Sequence, residues 1–135
     1  MHVAVVAISD RNSSKLRSVA GAFVSTFKAL GHDAELFFNA DARVSLFDFV
    51  VVCSEPKGLG SDIGMSLSRQ LSQSPGLGGK RTMAVMLRYG FAPNKSLQKL
   101  MALLEKEGLR IVQSQLIGSA SQVSSAVRGA PLERP

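Results

Sequence analysis

The sequence predicts a three-layer α/β fold: a doubly wound, five-stranded parallel sheet in the order 2-1-3-4-5 with helices on both faces. Three observations predict it. Apolar, β-branched runs alternate along the chain with segments of three- and four-residue hydrophobic period. The runs are continuous rather than alternating, as in strands covered on both faces. Clusters of Gly, Pro and Ser punctuate the changeovers. Right-handed crossovers then restrict five such strands to a doubly wound arrangement.

Val3 to Ile8 is the first strand, ended by the polar loop Ser9-Asp10-Arg11-Asn12-Ser13-Ser14, which is rich in helix N-cap residues. Leu16, Val19, Ala20, Phe23, Val24, Phe27 and Leu30 then trace one face of an amphipathic helix closed by Gly31. A short strand covers Ala34 to Phe38. Phe47 to Cys53 reads as a buried third strand, followed by a loop from Ser54 to Ser61. Ile63, Leu67 and Leu71 mark a weaker helix, and Ser74 to Gly79 is turn chemistry. Thr82 to Leu87 is the fourth strand and Arg88 to Asn94 its loop. Leu97, Leu100, Met101 and Leu104 share one side of a helix ended by Gly108. Leu109 to Ile117 is the fifth strand, and Gln122 to Arg128 makes a short closing helix. Residues 1–130 form a single domain, with Pro131 to Pro135 as a frayed tail.

The composition limits the function classes. An apolar content of 45% and a charged content of 19% exclude a disordered polar chain. No apolar stretch approaches the roughly 18 residues of a membrane span, so no membrane partner is expected. Met1 leads straight into the first strand, and Cys53 is the one cysteine, which excludes an internal disulfide and a thiolate metal cage. With two histidines and no carboxylate constellation, no metal site is expected. A soluble, cytoplasmic protein is the expectation. The net charge of +6 gathers in two places: residues 1–30 carry +3 and residues 80–110 carry +5, while residues 31–62 carry −4. Without a basic stripe interleaved with aromatics, nucleic acid is not expected as partner.

In the predicted order the chain reverses between strands one and three, which opens a crevice at their carboxyl ends. Three loops reach it. In the first, Ser9, Asn12, Ser13 and Ser14 offer short polar side chains and Arg11 and Lys15 offer charge at a helix N-terminus, where unpaired N–H groups attract phosphate. The same residues serve equally as helix caps. Asp10 opposes an anion there unless it turns away to local backbone, as Asp commonly does in turns. Pro56, Gly58, Leu59 and Gly60 in the second loop, and Tyr89, Gly90 and Phe91 in the third, offer backbone edges and apolar faces to a planar ring, or pack on the scaffold. A phospho-receiver needs an acid after strand three, where Cys53-Ser54 stands, and a lysine after strand five, where Ile117-Gly118 stands. Cys53, ending a buried strand, reads as a core residue.

Three segments resemble the flavodoxin-like proteins, which include flavodoxins and flavin-dependent NAD(P)H reductases. Ser9 to Leu16 with Val19-Ala20 is similar to the reductase pattern S-P-R-x-x-S-N-T-x-x-L-A. Asp48 to Ser54 followed by Pro56 resembles D-x-hydrophobic-G-S-P, and Leu77 to Val85 resembles L-x-G-K-x-x-A-V. The resemblance implies FMN as cofactor, with Ser9, Arg11, Ser13 and Ser14 around its phosphate and Pro56–Gly60 and Tyr89–Phe91 flanking the isoalloxazine. It also implies electron transfer with a redox partner protein or NAD(P)H. Lys15 and Leu16 stand where the pattern has Asn and Thr, and Glu55 is an extra residue in the Ser-Pro segment. With Asp10, these departures motivate a second reading: a flavin-free module of this fold acting through a protein partner, as a homo-oligomer or a subunit of a complex. That reading predicts an exposed apolar patch beside the short closing helix.

Overall fold

The computed structural model describes residues 1–58, 60–74, 76–89 and 92–130. Its strands are β1 (His2–Ala7), β2 (Asp33–Phe37), β3 (Phe49–Ser54), β4 (Arg81–Leu87) and β5 (Arg110–Ile117). They form one parallel sheet in the order β2-β1-β3-β4-β5, as the sequence predicts. The helices are α1 (Ser14–Ala29), α2 (Ser66–Ser72), α3 (Pro93–Lys106) and α4 (Val123–Arg128).

Alternation along the strands sorts the core into two layers. Val3, Val5, Ala7, Val51, Cys53 and Met83 face α1 and α4, meeting Leu16, Phe23, Phe27 and Val127. Ala4, Val6, Val50, Val52 and Met86 face α2 and α3, meeting Leu67, Leu71, Leu100 and Leu104. Cys53 is buried among apolar neighbours, and burial pushes its thiol pKa up. Among the described residues, no helix is long and apolar enough to cross a membrane.

The boundaries have local causes. Ser13, with extended backbone, accepts the Leu16 N–H at 3.1 Å and starts α1 two residues before its first apolar position. Gly31, at φ +89°, ends that helix. Two short 3-10 helices were not expected: one over Ala42–Leu46, capped by Asp41 through the Arg43 N–H, which buries Val44, and one over Ala120–Gln122, just before α4. Residues 131–135 lie outside the described residues.

Among the described residues, the apolar patch expected beside α4 is not found. The groove between β5 and α4, of about 450 Å³, is lined by Arg88, Gln115, Ser121, Gln122 and Ser125 together with Leu116, Ile117 and Ala126. Ser125 of this short helix, Ser121 and Gln122 just before it and Gln115 on β5 put polar groups where an interface would need apolar ones. The most exposed large apolar residues among those described are Leu46 and Met65.

Candidate functional site at the carboxyl edge of the sheet

Parallel strands and their return helices bring the carboxyl ends of β1, β3 and β4 and the start of α1 to one edge. The crevice expected between β1 and β3 is bridged there. The Ile8 N–H donates to the Cys53 carbonyl at 3.1 Å, and the Ser54 hydroxyl donates to the Ile8 carbonyl at 2.7 Å. One residue further on, the fully buried Glu55 turns its carboxylate onto the first loop.

Both carboxylate oxygens of Glu55 are engaged. Oε2 accepts the Ser9 hydroxyl at 2.6 Å and the Ser13 N–H at 2.9 Å. Oε1 accepts the Ser13 hydroxyl at 2.5 Å and the Tyr89 hydroxyl at 2.5 Å. These are short, charge-assisted bonds. Burial by itself would raise the Glu55 pKa. The Ser13 N–H and hydroxyl, with the Ser9 and Tyr89 hydroxyls, outweigh it and hold the carboxyl below its ordinary value. Burial, and then the neighbouring Glu55, push the Tyr89 hydroxyl upward.

Leu16 explains why the carboxylate comes from so far away. A capping box places Glu or Gln at the third helical position, where it reaches back to the N-cap N–H. With Ser13 as N-cap that position is Leu16, buried in the core, and the first turn of α1 has no acidic residue. Glu55 supplies the missing acceptor from the end of β3.

The remaining sequence-derived candidates divide. Arg11 and Lys15 lie over the Tyr89 ring, 5.0 and 5.6 Å from its centroid. Asn12, at φ +50°, donates its N–H to the Ser9 hydroxyl at 2.8 Å and accepts from Arg17 Nε at 3.3 Å. Ser14 is exposed at the first position of α1. The Pro56 carbonyl oxygen lies 3.3 Å from the Tyr89 hydroxyl oxygen, whose one proton goes to Glu55. Gly58 and Gly60 have open space beside them. Leu59, Gly90 and Phe91 lie outside the described residues.

Asp10 turns away from the cradle, but not to local backbone. It accepts the Ser66 N–H at 2.8 Å and the Met65 N–H at 3.4 Å, capping α2 from the first loop. The short α2 has no cap of its own from Met65, so a carboxylate across the crevice fills the role.

Ser9 and Ser13 of the first loop and Tyr89 of the third thus converge on Glu55 rather than on open space. As arranged, the cradle does not fit the phosphate of FMN: its donors already hold a carboxylate. Sequence reasoning marked Glu55 as an extra residue in the Ser-Pro segment and missed it as the occupant of the cradle. The available signal was an N-cap serine followed by Leu16 instead of a third-position acid.

No family model matches the chain, and no curated protein matches it either. Solved structures do. The two-electron reduced flavodoxin of Megasphaera elsdenii has a TM-score of 0.71 at 16% identity, covering 93% of this chain and 99% of that one. A Streptococcus pneumoniae flavodoxin has a TM-score of 0.71 at 14% identity, covering 95% and 96%. A Fusobacterium nucleatum flavodoxin variant bound to flavin mononucleotide has a TM-score of 0.64 at 10% identity, covering 94% and 93%. The chain has the flavodoxin-like fold.

Proposed function

We propose that this chain is a flavin-free module of the flavodoxin-like fold that works by binding a partner protein at the carboxyl edge of its sheet. The observation that carries this reading is the Glu55 carboxylate seated on the donors at the start of α1. A phosphate entering there would meet a like charge held in place by four hydrogen bonds. Near a protein surface such a contact costs about 4 kcal/mol per pair of unit charges at 4 Å.

The surroundings favour an acidic partner. Arg11, Lys15 and Arg17 on the first loop and helix, with Lys57 and Arg88 on the other two loops, are exposed at this edge. The acids beside them are engaged: Glu55 is buried in the cradle, Asp10 caps α2, and Asp62 accepts the Gly64 N–H at 2.9 Å. Exposed Met65 lies alongside. Such a surface steers an acidic protein face and gives it apolar contact. Two places where a polyphosphate would grip backbone N–H groups, the starts of α1 and α2, are taken by carboxylates.

A second reading is favoured by the likeness to flavodoxins, one of them FMN-bound. In it the chain carries electrons on FMN for a redox protein or NAD(P)H, and Glu55 must leave the cradle first. One experiment separates the two: titration of the purified protein with FMN, followed by visible absorption and thermal unfolding. Colourless protein with a melting temperature unmoved by excess FMN supports the flavin-free module. Yellow protein stabilised by FMN overturns it, because tight binding must stabilise the native state.

A further inference from the structure

We infer that Glu55 is the resident anion of the cradle: the chain supplies from β3 the negative charge that an oxyanion ligand would bring, and the cradle accepts a small oxyanion only once that carboxylate is removed. The inference rests on the flavin-free reading and goes further, because it assigns the donors a ligand chemistry and Glu55 the role of excluding it.

The donor set is built for an oxyanion, not merely for a helix end. Capping of α1 needs the Ser13 oxygen, which accepts the Leu16 N–H, and an acceptor for the Ser13 N–H, as in a capping box. The hydroxyls of Ser13, Ser9 and Tyr89 are donors in excess of that need, and they point at one place from two separate loops. Arg11 and Lys15, packed over the Tyr89 ring, add positive charge around the same ring. Convergent N–H and O–H donors at the start of a 16-residue helix are selective for an anion. A side-chain amide in place of the carboxylate would turn N–H groups against some of them. Replacing Glu55 by alanine removes four heavy atoms, close to the five of inorganic phosphate, so the vacated volume suits that ion.

The test compares wild type, Glu55→Ala and Glu55→Gln by thermal unfolding in inorganic phosphate and in chloride at matched ionic strength, with FMN as a further addition. Phosphate is expected to raise the melting temperature of Glu55→Ala by about 5 °C relative to chloride at saturating concentration. Wild type and Glu55→Gln, in which the place is still filled, are expected to show no difference. Glu55→Ser, whose hydroxyl stands where the Glu55 Cγ was and falls short of the cradle, replaces the alanine variant if that variant does not fold, with the same expected rise. A folded alanine or serine variant indifferent to phosphate overturns the inference while leaving the flavin-free reading intact. A phosphate response in Glu55→Gln overturns it as well, since the plug would then not exclude the ion. A wild type stabilised by FMN overturns the flavin-free reading itself.

Discussion

Asp10, near the beginning of the loop that follows the first strand, holds the backbone N–H of Ser66 at 2.8 Å, and so the start of α2 hangs on a residue 56 positions earlier. Gly64 makes this possible. Its backbone stands at φ +75°, and a Cβ there would run into the Asp10 carboxylate. Gly64→Ala is therefore expected to destabilise the fold by about 1–3 kcal/mol, through left-handed strain and the displaced cap. Asp10→Ala is expected to cost about 1 kcal/mol. The pair should be non-additive: with Asp10 truncated, the alanine at 64 loses its obstacle and costs less. Urea unfolding of the two single variants and the double variant measures the coupling.

Stability should fall at acid pH in a way traceable to Glu55. Its folded-state pKa lies below the ordinary value, held there by the Ser13, Ser9 and Tyr89 donors against the opposing effect of burial. The stabilisation is therefore complete above the unfolded-state value of about 4.3 and is lost as pH falls through the lower folded-state value. Glu55→Gln has no such proton to take up. It should be less stable than wild type near neutrality by about 1–3 kcal/mol, with the gap closing as pH falls below about 4. Parallel melting curves for the two proteins between neutrality and pH of about 2 would contradict this assignment.

Elements whose own residues decide them were legible in the sequence. The run Val3 to Ile8 and the spacing Leu16, Val19, Phe23, Phe27 carry their strand and helix, and the structure buries them as that patterning requires. The 3-10 helix over Ala42–Leu46 was not legible, because five residues are too few to show a period, although the cap at Asp41 was there to be seen. The same division runs through the site. Ser9, Ser13 and Tyr89 stood out as polar or aromatic residues in loops that the topology brings together. What they hold did not, because Glu55 reaches Ser13 across 42 positions and no local pattern reports such a contact. Asp10 shows the same limit: a turn-forming residue suggested a local bond, and the tertiary fold offered it the uncapped start of α2.

Cys53 should be inert to thiol reagents in the native protein. It is buried in the layer beneath α1, and burial raises its pKa, so little thiolate forms and none is accessible. A chromogenic disulfide reagent is expected to react with it only at the rate of unfolding, and promptly in denaturant. Fast stoichiometric labelling without denaturant would show that β3 opens readily at the residue two positions before Glu55.

Tyr89→Phe and Ser13→Ala should separate closing the cradle from starting the helix. Tyr89 donates one bond to Glu55, and its ring lies under Arg11 and Lys15. The phenylalanine variant keeps the ring and loses the donor, at a cost of about 1.5–3 kcal/mol for a hydrogen bond to a buried charge. Ser13 donates through its hydroxyl to Glu55 and accepts from Leu16, so alanine there removes a cap as well. Its cost should exceed that of Tyr89→Phe by about 1 kcal/mol. Each variant should also bring the Glu55 pKa up, because each removes a bond to the ionised form, and so move the acid limb of the stability curve to higher pH. Carboxyl-carbon NMR titration of Glu55 reads that movement directly. An upward shift confined to Ser13→Ala would mean that the Tyr89 hydroxyl bonds to the Pro56 carbonyl in solution instead.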